Sequence, residues 1–111
     1  MIRVYIAGAY SADNVTELQA NMRRGIVKSV EVLQAGYAPF CPWIDFQFGL
    51  HAEIDIDTYY DYSMAWLQVS DAVLLVPGWE GSKGVRAEIA EAKRLKIPVC
   101  YTIEELKEVR G

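Results

Sequence analysis

Residues 71–95, DAVLLVPGWEGSKGVRAEIAEAKRL, decide the fold. Ala72 to Val76 is a continuous apolar run rich in valine and leucine, closed by Pro77 and Gly78, which predicts a buried strand. From Ser82 to Leu95 the pattern changes to the helical period. At about 100° per residue, Val85, Ile89, Ala92 and Leu95 share one apolar arc. A strand feeding a helix through a glycine-rich turn is the building unit of parallel α/β sheets. Glu88 lies inside the apolar arc. A carboxylate there is either held by a buried Tyr or Arg or does chemistry. Its place, just beyond the carboxyl end of a strand, is where open α/β folds bind ligands.

Outward from this unit the alternation continues in both directions. Ile2 to Ala7 is β-branched and aromatic and ends at Gly8, which reads as a buried first strand with a turn at its carboxyl end. Val15, Leu18, Met22, Ile26, Val30 and Leu33 then recur at steps of three and four, predicting a long first helix. Asp13 or Ser11 is its expected N-cap and Gly36 its terminator. Tyr37 to Pro42 suits a short second strand, and WIDFQFGLHAEID, residues 43–55, reads as an aromatic loop. A second helical face of Tyr60, Met64 and Leu67 starts near Asp57 and closes at Ser70 and Asp71. After the opening unit come a fourth strand, Pro98 to Tyr101, and a short terminal helix in TIEELKEVR, with Thr102 and Glu105 spaced as a capping box. The expected fold is a three-layer, Rossmann- or flavodoxin-like α/β domain over residues 1–111. Its parallel sheet has about four strands in the order 2-1-3-4, with helices on both faces.

Composition narrows the class of function. The chain has 111 residues, 52% of them hydrophobic, enough for one core without disulfides or metals. A net charge of −4 gives no general attraction to a nucleic acid polymer. Cys41 and Cys100 lack metal-ligand spacing and read as reduced core thiols, which suits a cytoplasmic protein. No apolar run reaches the roughly 20 residues of a membrane span, and no cleaved leader is expected before the first strand. His51 with Glu53, Asp55 and Asp57 lacks the spacing of a metal site, so neither a metal nor a cofactor is expected.

PGWEGSKGVRAE sets three glycines and a serine at a strand-to-helix junction, where unpaired amides and the helix dipole favour an anion such as phosphate. It matches neither the P-loop nor the dinucleotide fingerprint. Gly78, Gly81 and Gly84 would also serve a tight turn alone. Because helical side chains tilt toward the N-terminus, Glu88 aims back at whatever the loop around Gly81, Ser82 and Gly84 holds. Trp43, Phe46 and Phe48 offer a surface on which a nucleobase can stack while Asp45 hydrogen-bonds its edge. The competing reading makes them an interface or core cluster.

VYIAG at the start, the internal SDAVLLV and the S-x-G-x-x-x-E of Ser82, Gly84 and Glu88 together resemble the nucleoside 2-deoxyribosyltransferase superfamily. PGWEGSKGVRAEIAEA is similar to its nucleotide N-glycosidase-like members, especially a small phage and bacterial branch. The resemblance implies that Glu88 is the nucleophile taking the anomeric carbon from the base and that Tyr5 supports it. Ser82 stands where nucleotide N-glycosidases carry a phosphate-binding serine and nucleoside transferases an acid. This implies a nucleoside 5′-monophosphate as substrate, with Gly8, Gly81, Gly84, Trp43 and Asp45 as further binding candidates. An assisting aspartate is expected eight residues before Asp71, where this chain has Ser63. Either Asp61 or Asp57 enters the site by a register shift, or the assisting acid is missing. The superfamily also implies a homo-oligomer, dimer or higher. The rival expectations are a nucleotide-binding or sensing module without turnover, and an oligomeric scaffold in which Glu88 is structural.

Overall fold

A computed structural model describes residues 1–110. Four parallel strands, β1 (Arg3–Ala7), β2 (Ala38–Phe40), β3 (Ala72–Leu75) and β4 (Val99–Cys100), form one sheet in the order β2-β1-β3-β4. The α-helices are α1 (Val15–Gln34), α2 (Phe46–Gly49), α3 (Ile56–Leu67) and α4 (Lys83–Arg94). Short 3-10 turns cover Pro42–Asp45, Trp79–Gly81 and Glu104–Glu108. The α/β class and the strand order are those expected from the sequence.

The period of two along each strand divides the interior into two cores. Val4, Ile6, Ala72, Leu74 and Val76 point to the side of Val32 on α1, with Trp43 and Leu106. Tyr5, Ala7, Val73 and Leu75 point to the opposite side, against Leu67 of α3 and Val85 and Ala92 of α4. In register, Tyr5 lies opposite Phe40 on one side and Val73 on the other. A side chain from β1 is thereby aimed at α4, 83 residues away in sequence.

Two expectations need correction. Asn14, rather than Asp13 or Ser11, caps α1 by accepting from the Glu17 amide at 2.8 Å. Pro42, expected to end the second strand, and residues 43–49 of the expected aromatic loop are helical, because Pro42 suits a first helical position and a two-turn segment is too short to display a period. The long first helix is present as α1, with its apolar stripe turned outward. Its buried positions are Asn21, Gly25, Ser29 and Val32, while Ile26, Val27, Val30 and Leu33 are 38–54% exposed. Trp43 is the reason. A Cβ on Gly25 would stand 2.3 Å from the indole, so only the small-residue face of α1 can close over that ring. The expected terminator holds: Gly36 has φ +97°, and the amides of Gly36 and Tyr37 reach back to the carbonyls of Leu33 and Val32 at 3.0 and 3.2 Å.

Candidate active site

The site is assembled where β1 and β3 end. The turn after β1, the turns after β2, the first two turns of α3 and the start of α4 enclose a cavity of about 900 Å³. That is ample for a nucleotide-sized ligand. Its walls include Tyr5, Gly8, Trp43, Asp45, Gly81, Ser82, Gly84 and Glu88, which is every expected site residue except Asp61.

At its floor the Tyr5 hydroxyl donates to the Glu88 carboxylate. Tyr5 is fully buried and Glu88 largely so. Burial pushes the Glu88 carboxyl up to about 7, against the opposing pull of the Tyr5 hydrogen bond. The Tyr5 phenol is itself driven far upward, first by burial and then by the charge of Glu88, with the Ser63 hydroxyl easing it in the other direction. The consequence is a division of roles. Tyr5 keeps its proton and can only donate to Glu88, which holds one carboxylate oxygen in place and leaves the other for a ligand.

The start of α4 forms the next wall. Ser82 is the N-cap, its Oγ accepting from the Val85 amide at 3.2 Å. The hydroxyl proton is still free to be donated, and the amides of Lys83 and Gly84 are ones that a helix start cannot pair internally. Lys83 adds a positive charge to the same wall. The three glycines of this loop separate into two kinds. Gly78 adopts φ +94° and is required by the turn, whereas at Gly81 nothing stands within 4 Å of an added Cβ, and at Gly84 only Ser82 Oγ does, at 3.8 Å. The turn explains the first glycine. Close approach of a ligand to bare backbone is the use that fits the other two.

On the opposite wall Asp45 is buried, 8% exposed, and accepts from the Tyr10 hydroxyl at 2.7 Å. Trp43 is not the open stacking surface expected of it. It is 1% exposed, its indole N–H donates to the Ala9 carbonyl at 3.1 Å, and its ring lies against Gly25 and Tyr10. Trp43 is therefore a core residue that also borders the cavity, whereas Phe48 is 45% exposed. Phe46, from the same segment, is half-exposed and reaches the wall directly.

Asp61 and Asp57 are exposed on α3 and lie outside the cavity wall, which Ile56, Tyr59, Tyr60, Ser63 and Met64 supply. The expectation that Asp61 assists catalysis is corrected accordingly. A helix starting at Ile56 turns residue 61 about 200° away from residue 63, so the two cannot share a face. Ser63 itself faces the Tyr5 hydroxyl. Tyr10 was missed from the sequence. Its one signal is an aromatic residue three positions after the first strand, too weak to show that it would meet Asp45, 35 positions on.

Among the described residues, no group of three or more His, Cys, Asp or Glu side chains comes together to hold a metal ion. Among the same residues, no helix is long and apolar enough to cross a membrane. A search of curated proteins returns no match. Residues 2–101 match a family model described as a domain of unknown function (DUF4406), and the chain, matched over nearly its whole length, belongs to that family.

Proposed function

We propose that this protein cleaves the N-glycosidic bond of a nucleoside or deoxynucleoside 5′-monophosphate, with Glu88 as nucleophile and Tyr5 as its orienter. The observation that carries this reading is the Tyr5–Glu88 pair on the floor of a cavity whose adjoining wall is the Ser82-capped start of α4. Phosphate at that wall receives the Ser82 hydroxyl, the α4 amides and the Lys83 charge, which places the attached sugar over Glu88. Glycosyl transfer passes through an oxocarbenium-like state. A carboxylate beneath the sugar stabilises that charge and then captures the carbon. Water or a second base releases the sugar.

Attack needs Glu88 ionised, so with a leaving group that needs no proton the rate of base release is expected to rise with pH through about 7. The direct test is to incubate the protein with nucleoside 5′-monophosphates and assay free base. Release by the wild type with a loss of at least about a thousandfold in Glu88→Ala is expected. Unchanged release in that variant removes the assigned role.

One observation favours a second reading, a nucleotide-binding or sensing module without turnover: the residue facing Tyr5 from α3 is Ser63, which is not an acid. Calorimetric binding of a monophosphate with no base release over long incubation would support it. We further propose a homo-oligomer formed through the outward apolar stripe of α1. Ile26, Val30 and Leu33 recur at helical spacing and are exposed, so a second copy can lay the same stripe across it about a twofold axis. Their exposed area, with that of Val15 and Val27, is on the order of the few hundred Å² that a helix pair contributes toward the roughly 800 Å² per partner of a stable interface. Two free thiols, one of them buried, suit the cytoplasm as the place of action.

A further inference from the structure

We propose that Asp45 is the acid that protonates the departing nucleobase, with Tyr10 as its positioning residue. The inference rests on the glycosidase reading above and supplies the group that reading lacks. Breaking the bond between the anomeric carbon and the base leaves an electron pair on nitrogen, and an anionic base is a poor leaving group unless it receives a proton. The side chain facing the Tyr5–Glu88 pair from α3 is Ser63, whose hydroxyl is no acid near neutral pH. The α3 carboxylates Asp57 and Asp61 point into solvent. Of the residues that line the cavity, two carry carboxyl groups, Glu88 and Asp45.

Asp45 has the features of a placed acid. It is buried in the wall, and the Tyr10 hydroxyl donates to its Oδ1 at 2.7 Å, which fixes the carboxyl plane and leaves Oδ2 for a ligand. Tyr10 is fixed in turn. Its ring stacks on Trp43 with centroids 6.4 Å apart and planes 13° from parallel, and its carbonyl accepts from the Asn21 amide at 3.1 Å. Burial pushes the Asp45 carboxyl upward from its ordinary value while the Tyr10 bond draws it back. Asp45 is also near enough to Tyr5 for its charge to push the phenol upward, so both acids act within one enclosed space. With the phosphate at α4 and the sugar over Glu88, the base extends away from both, toward the wall that Asp45 occupies.

The step balances without any further reactant. The bond from the anomeric carbon to the base nitrogen breaks with its electron pair going to the base. The Asp45 proton moves to a ring nitrogen or carbonyl oxygen of that base, and a Glu88 oxygen bonds to the carbon. In the second half, water bonds to the carbon, Glu88 leaves as carboxylate, and the water's proton returns to Asp45.

The test compares two leaving groups. An ordinary 2′-deoxyguanosine 5′-monophosphate needs a proton as its base leaves, whereas the 7-methylated analogue already carries a positive charge on the base and departs neutral. Asp45→Asn is expected to slow base release from the ordinary substrate by about a hundredfold or more. On the methylated substrate the loss should shrink to a few-fold, which also shows that the variant is folded. Tyr10→Phe should show the same selectivity at about five- to tenfold. Equal losses on the two substrates, or no loss on either, overturn the role of Asp45 while leaving Glu88 in place. If instead the wild type releases no base from either substrate, or Glu88→Gln releases it at the wild-type rate, the glycosidase reading falls and this proposal with it.

Discussion

On the α1 side of the sheet, Trp43 fills the space over Gly25, its one polar atom is matched by the Ala9 carbonyl, and it belongs to the apolar cluster of Val4, Ile6, Val32 and Leu74. On the α3/α4 side, Tyr5 sits at the equivalent depth but ends against a buried carboxylate beside an open cavity. Both sides bury a large aromatic residue with its polar atom bonded. They differ in what the partner can do. A carbonyl that accepts a hydrogen bond completes a core, whereas a carboxylate raised to about 7 and left with a spare oxygen is held at a cost that packing alone does not require.

Removing the keystone of the first side should have the largest effect. Trp43→Ala opens a cavity under α1 and is expected to cost about 3–5 kcal/mol of stability, read by urea denaturation. A loss below 1 kcal/mol would show that α1 does not depend on the ring. The other side should show itself through pH. Glu88 is raised in the folded protein, so the folded state holds its proton more tightly than the unfolded chain does. Stability is therefore full below about 4.5 and falls as pH rises toward about 7, by on the order of 3 kcal/mol relative to Glu88→Gln. A difference between the two proteins that stays flat over that window would contradict the buried, proton-binding carboxyl. The smallest expected effect on stability lies on the outside of α1. Ile26→Lys should change unfolding by no more than about 0.5 kcal/mol yet abolish self-association in sedimentation. An unchanged oligomer would place the interface elsewhere.

The same contrast explains what the sequence made legible. Ala72 to Val76 is a continuous apolar run and Ser82 to Leu95 is periodic, with Pro77, Gly78 and Gly81 between them, so the strand, the helix and the place of Glu88 could be read in advance, while its pairing with Tyr5 was implied only by the family resemblance. The orientation of α1 could not. Periodicity finds an apolar stripe but does not say that a tryptophan 18 residues beyond Gly25 demands a bare backbone against it. Here the small-residue face was buried and the apolar one turned outward. Asp61 failed for a local reason: its distance from Ser63 along the chain is short, but on a helix two residues point nearly opposite ways. The stripe of Tyr60, Met64 and Leu67 already indicated which face of α3 turns inward, and Ser63, not Asp61, belongs to it. The Tyr10–Asp45 pair joins a loop to a single 3-10 turn, too short for a period to announce a contact.

The central claim is that the carboxylate on the Tyr5 side of the sheet attacks a sugar carbon. Mass spectrometry of the protein quenched during turnover of a deoxynucleoside 5′-monophosphate tests it most directly. The peptide bearing Glu88 should carry an added deoxyribose 5-phosphate, absent from Glu88→Gln. Base release in which that peptide stays unmodified and Glu88→Gln works at the wild-type rate would contradict it.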